Sequence, residues 1–150
     1  MKWLFLLASL TLAASARAED ATLFADLGGR EKISSMTADL IGRLKTDPKI
    51  GHFFAETDMD RLHDRLTDFI CHVSGEKRRY RGANQRAAHA GLGIHEADFN
   101  VLVEDLEASM DDAGIPFSTQ ARLLAVLAPI ERQTVDIPLT PAQPPQDVQP

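Results

Sequence analysis

The chain is short of cysteine. Cys71 stands alone among 150 residues. That excludes an internal disulfide, a prosthetic group attached through a Cys-x-x-Cys-His motif, and a cysteine-rich zinc or iron–sulfur centre. Any metal must be held by histidine, by carboxylate or inside a prosthetic group. Positive charge is also lacking: the formal net charge of -6 offers nothing that draws the chain to nucleic acid or to an anionic membrane. There is no alternating strand pattern and no internal repeat. The one long apolar run, Trp3 to Ala14, is too short to span a bilayer with polar flanks.

What is present begins with that run. Lys2 precedes it, Ala16-Arg17-Ala18 follows with small residues at the spacing a signal peptidase reads, and Glu19-Asp20 comes next. Residues 1–18 are therefore expected to be a cleaved signal peptide. The protein would then be exported, periplasmic or secreted, with no membrane association after cleavage. At the other end, five of the eight prolines fall between Ile137 and Pro150, so residues 138–150 are expected to form a disordered tail. A single domain of residues 19–137 remains.

Within it the apolar residues recur at helical steps. Ile33, Met36, Leu40, Ile41 and Leu44 mark one helix, ended by Pro48 because the residue before a proline avoids helical backbone. Asp58 is a good cap for a second, with Leu62, Leu66, Phe69, Ile70 and Val73 as its expected core face. Phe99, Leu102, Val103, Leu106, Met110 and Ala113 mark a third, closed by Gly114 and Pro116. A fourth, capped by Ser118, carries Leu123, Leu124, Val126, Leu127 and Ile130, with a kink expected at Pro129. The fold class is all-α.

Two segments depart from this pattern, the basic stretch from Ser74 to Asn84 and the glycine-rich stretch from His89 to His95. Irregular chain inside a small domain is usually functional, and these two bracket a short segment containing His89. Of the five histidines, His52 and His95 suit turn and capping roles. His72 follows Cys71, but adjacent helical residues point about 100° apart, so the two make no catalytic pair. His63 reads as a boundary residue. His89 differs: Ala87, Ala88, Ala90 and Gly91 around it leave room for a broad flat ligand, and Gly91 and Gly93 let the chain turn away. An imidazole so placed suits an axial ligand to iron.

These motifs resemble those of the group I truncated haemoglobins, small globins with a two-over-two helical sandwich around haem. The resemblance covers nearly all of the folded part. Leu23-Phe24-Ala25-Asp26-Leu27-Gly28-Gly29-Arg30 is similar to the family's entry motif, and Asp47-Pro48-Lys49-Ile50-Gly51-His52-Phe53-Phe54 to its interhelical corner. Tyr80-Arg81-Gly82 matches the loop, Leu123 to Pro129 the closing helix, and Arg86-Ala87-Ala88-His89-Ala90-Gly91-Leu92-Gly93-Ile94 the proximal segment. The resemblance implies non-covalent b-type haem with His89 as the protein ligand to the metal. It also implies haem contacts from Phe54, Leu62, Leu66, Phe69, Tyr80, Val126 and Leu127. Lys77, Arg78, Arg79, Arg81 or Arg86 would meet the propionates.

The sequence departs from the family where a tyrosine and a glutamine usually hold bound dioxygen. The matching positions are Ile41 and Leu66, so the distal pocket is expected to be apolar, with His63 and Arg65 as the nearest replacement donors. The second glycine pair that often precedes the loop tyrosine is reduced to Gly75. The implied function is binding of a diatomic gas (dioxygen, carbon monoxide or nitric oxide), with an electron donor as a further partner. Nitric oxide dioxygenation or peroxidase-like chemistry is the enzymatic alternative, and a haem-free helical interaction domain is the third.

Overall fold

The computed structural model describes residues 22–82 and 84–135; the expected leader, 1–18, and tail, 138–150, lie outside the described residues. No strand occurs among the described residues. A one-turn helix α1, Leu23–Asp26, is capped by the Thr22 hydroxyl. The long helix α2, Gly29–Thr46, follows. Its residues Ile33, Met36, Leu40 and Leu44 are almost wholly buried, as their three- and four-residue spacing requires. The helix stops before Pro48, as expected. The Asp47 carboxylate then accepts hydrogen bonds from the backbone of Lys49 (2.7 Å) and Ile50 (3.1 Å), which fixes the corner and leads into a 3-10 turn, Gly51–Phe54.

Helix α3, Met59–Val73, starts where Asp58 caps it by accepting from the Arg61 amide at 3.0 Å. A five-residue helix α4, Gln85–His89, is capped by the Asn84 side chain. Helix α5, Glu96–Asp112, begins with the Asp98 carboxylate accepting from the His95 amide. Helix α6, Phe117–Leu127, is entered from Pro116 rather than Ser118. Proline suits this position because its fixed φ prepares the helix, and its carbonyl accepts from Thr119 and Gln120. Pro129 breaks the α-helical ladder as expected: α6 gives way to a 3-10 turn, Ala128–Ile130, and a last short helix α7, Glu131–Thr134.

Helix α2 packs across both α3 and α5. The core lies between them: the α2 stripe, Ile70 and Cys71 of α3, Val101, Leu106 and Met110 of α5, and Leu123 of α6. The arrangement is the two-over-two globin sandwich. Arg30 ties the start of α2 to the far end of α3 through Asp68 (2.6 Å) and Glu76 (2.5 Å), and its guanidinium holds the Glu76 carboxyl below its ordinary range. Arg43 pairs with Asp39 and Asp112, and Arg122 with Asp26.

The second helix corrects the expectation drawn from periodicity. Its most buried residues are Thr67, Ile70 and Cys71, whereas Leu62, Leu66, Phe69 and Val73 are only half-buried. The helix is apolar over two adjoining faces. Phe69 and Val73 still pack against the core from its edge, and Leu62 and Leu66 lie outside it.

Candidate functional site

Helix α4 is too short to be stable alone, and its role is to present His89. The His89 Nδ1 donates to the Gln85 carbonyl oxygen at 2.8 Å. A nitrogen that donates to a carbonyl carries the proton, so in the neutral ring Nε2 has the lone pair, and it meets no hydrogen-bond partner among the described residues. This is the tautomer a metal-binding imidazole adopts when its other nitrogen is anchored to the backbone. Beyond the histidine, Gly91 (φ 78°) and Gly93 (φ 67°) take left-handed backbone that other residues resist, and the chain turns away there. Among the described residues no group of three or more His, Cys, Asp or Glu side chains could hold a metal ion.

A cavity of about 440 Å³ lies beside this segment, walled by Phe69, His72 and Val73 of α3, by Tyr80, Gly82, Asn84 and Gln85, and by Ile130 and Gln133. The volume is in the usual range for cofactor sites, roughly 300–1,000 Å³. Tyr80 stacks on the His72 imidazole (ring centroids 4.9 Å apart, planes 13° apart) and lies 6.0 Å from the Phe69 ring. Burial pushes the Tyr80 phenol above its ordinary range. Gly82 passes so close beneath this ring that a Cβ there would sit 1.9 Å from the Tyr80 hydroxyl oxygen. Gly82→Ala is therefore expected to drive Tyr80 off His72 and destabilise the fold by roughly 1–3 kcal/mol. Urea unfolding, with loss of the ring-current shift on the His72 protons, checks it.

The other candidate residues fall as follows. Ile41 is buried on α2, while Phe54 and Leu127 pack against the core from its edge, as Phe69 does. Leu62 and Leu66 lie on the half-buried face of α3. Val126 is exposed to 40%, turned further out on α6 than its neighbour Leu127. Arg86 and Arg65 are exposed. His63 is engaged elsewhere: its Nε2 donates to the Ser34 carbonyl at 2.9 Å, and Nδ1 lies 3.5 Å from the Asp64 carboxylate. It is thereby drawn toward the first turns of α2. Sequence reasoning did not assign His72, Ser34, Ile130 or Gln133 to the site: His72 meets Tyr80, Ser34 meets His63, and Ile130 and Gln133 line the cavity. The Gln85 carbonyl carried a signal, since it stands one helical turn before His89.

The family model for bacterial-like globins matches residues 22–135, the whole described span. The chain belongs to the bacterial-like globin family. It is similar to the group 1 truncated haemoglobin of Synechocystis sp., with 30% identity over 119 residues covering 76% of this chain and 96% of that one. Its fold is similar to the truncated haemoglobin of Tetrahymena pyriformis in the Fe(III) form (TM-score 0.74, 24% identity, 77% of this chain and 98% of that one). It is also similar to the 2/2 haemoglobin of Synechococcus sp. in the cyanomet state, described as having covalently attached haem (TM-score 0.73, 20% identity, 78% and 100% covered).

The family cofactor is haem, and the residues fit it. A lone imidazole with a free Nε2 suits a metal whose in-plane ligands come with the macrocycle. Phe69 and Val73 on the cavity wall, with Leu62 and Leu66 half-buried further along the same helix, suit a flat hydrophobic body. Cys71, wholly buried, contributes no ligand: burial pushes its thiol up to about 11, so it stays protonated.

Proposed function

We propose that this globin binds a diatomic gas at a haem iron held by His89, on a distal side walled by Ile41, Leu62 and Leu66. When bound, haem would supply the iron that takes up the gas, with His89 as the protein residue holding it. The chain supplies the rest. Gln85 fixes the tautomer and orientation of His89, the half-buried face of α3 with Phe54 and Leu127 excludes water, and Arg86 would meet a propionate. The single observation that carries this reading is the His89 to Gln85 hydrogen bond, which leaves Nε2 free. Absorption spectra of the purified protein test it: a Soret band is expected, shifting when carbon monoxide is added to the reduced form. A spectrum with no Soret band would leave a helical interaction domain.

Gas binding is favoured over peroxide chemistry, which needs a base on the distal side. The one histidine near that side, His63, is tied to Ser34. The protein is further proposed to work outside the cytoplasm, on the strength of the leader sequence. Expressed from its full gene in a bacterium, it is expected to begin at Glu19. Amino-terminal sequencing of the purified product checks this, and a chain still beginning at Met1 would count against export.

A further inference from the structure

We infer that the segment Lys77–Arg86 is the docking surface for an acidic one-electron carrier protein. Five of its ten residues, Lys77, Arg78, Arg79, Arg81 and Arg86, are basic and none is acidic, in a chain whose net charge is -6. The rest of the molecule is therefore strongly acidic. All five are exposed. None forms an ion pair among the described residues, whereas Arg30, Arg43 and Arg122 do. A pair of propionates would occupy some of these cations and leave the others free.

Two residues of the segment are also held in place. Tyr80, in its middle, is stacked on His72, and Asn84 caps α4 at its end. Tyr80, Gly82, Asn84 and Gln85 line the cavity near His89, so Arg79, Arg81 and Arg86, their neighbours in the chain, lie close to it, while Lys77 and Arg78 line a separate depression with Thr22 and Phe24. A cationic rim on an acidic body repels an acidic protein everywhere else and orients it here, which raises encounter rates. A flat anionic bilayer would meet the acidic flanks as well as the rim, so the charge pattern favours a protein. The carrier would give up one electron and be left oxidised, and a bound haem would accept that electron with no bond made or broken. The electron step rests on the haem reading; the docking does not.

The test uses the haem-loaded protein and two probes, a small acidic [2Fe–2S] protein of the plant ferredoxin type and vesicles rich in phosphatidylglycerol. Calorimetric binding to the [2Fe–2S] protein is expected to weaken at least about tenfold on raising the salt from low to physiological strength, because exposed charges are screened. A comparable loss is expected in Lys77→Glu/Arg79→Glu/Arg81→Glu. Should that variant misfold, the serine triple is read instead. Lys45→Glu/Lys49→Glu, near the other end of α2, is expected to bind as the unaltered protein does. Equal binding by the triple variant, no salt-sensitive binding, or binding to vesicles alone overturns the proposal. So does loss of the Soret band in a folded triple variant, which would assign the cations to the cofactor. Salt-sensitive binding by a protein with no Soret band would sink the haem reading and leave the docking intact.

Discussion

Replacing His89 with alanine is expected to cost at least about a hundredfold in haem affinity, because removing even an outer-shell partner of a metal ligand costs roughly 10–100-fold. The loss follows from the geometry of α4. His89 is held by one backbone carbonyl, whereas the His72 ring, which lines the cavity, is stacked flat on Tyr80. The apolar walls remain in the variant, so haem is expected to enter but to leave quickly. Transfer of haem to an apomyoglobin acceptor measures this directly: a fast release from His89→Ala is expected, with His63→Ala releasing as slowly as the unaltered protein. A His89→Ala variant that kept its haem would mean that another side chain holds the iron.

The second large effect concerns the gas. Ile41, Leu62 and Leu66 offer no hydrogen-bond donor, and His63 donates to Ser34 instead. A hydrogen bond to a ligand carrying negative charge contributes about 1.5–3 kcal/mol, which is roughly ten- to a hundredfold in affinity. Dioxygen is accordingly expected to escape fast from the unaltered protein. Ile41→Tyr or Leu66→Gln is expected to slow its escape by roughly ten- to a hundredfold, and to change carbon monoxide, which is less polarised, far less. Stopped-flow displacement gives both rates. Slow dioxygen release from the unaltered protein would show that Arg65 or His63 swings in, breaking the contact with Ser34.

The helix ends were readable from single residues, because caps and breakers act locally. Pro48 stopped α2, Asp58 started α3, Gly114 closed α5, and the glycines at 91 and 93 set off the segment carrying His89. The apolar spacing of α3 showed that Leu62, Leu66, Phe69 and Val73 share a face, but not what that face meets. A period reports direction around one helix and says nothing of the neighbour. Ile70 is buried as expected, but its buried companions are Thr67 and Cys71, while the other four stay half-buried. Ser118 had a capping side chain, yet Pro116 took the position, since a carbonyl in the right place serves as well. The contact of His63 with Ser34 joins residues 29 apart, and the stack of Tyr80 on His72 depends on the path of the loop. Such pairings are tertiary, and no local pattern announces them.

The account turns on one bond between the His89 imidazole and iron, and low-frequency resonance Raman spectroscopy of the ferrous, gas-free protein reads that bond. An iron–imidazole stretching band is expected, moving on ¹⁵N-histidine labelling, unchanged in His63→Ala, and lost in His89→Gly until imidazole is added back. A band that persists unaltered in His89→Gly would contradict it.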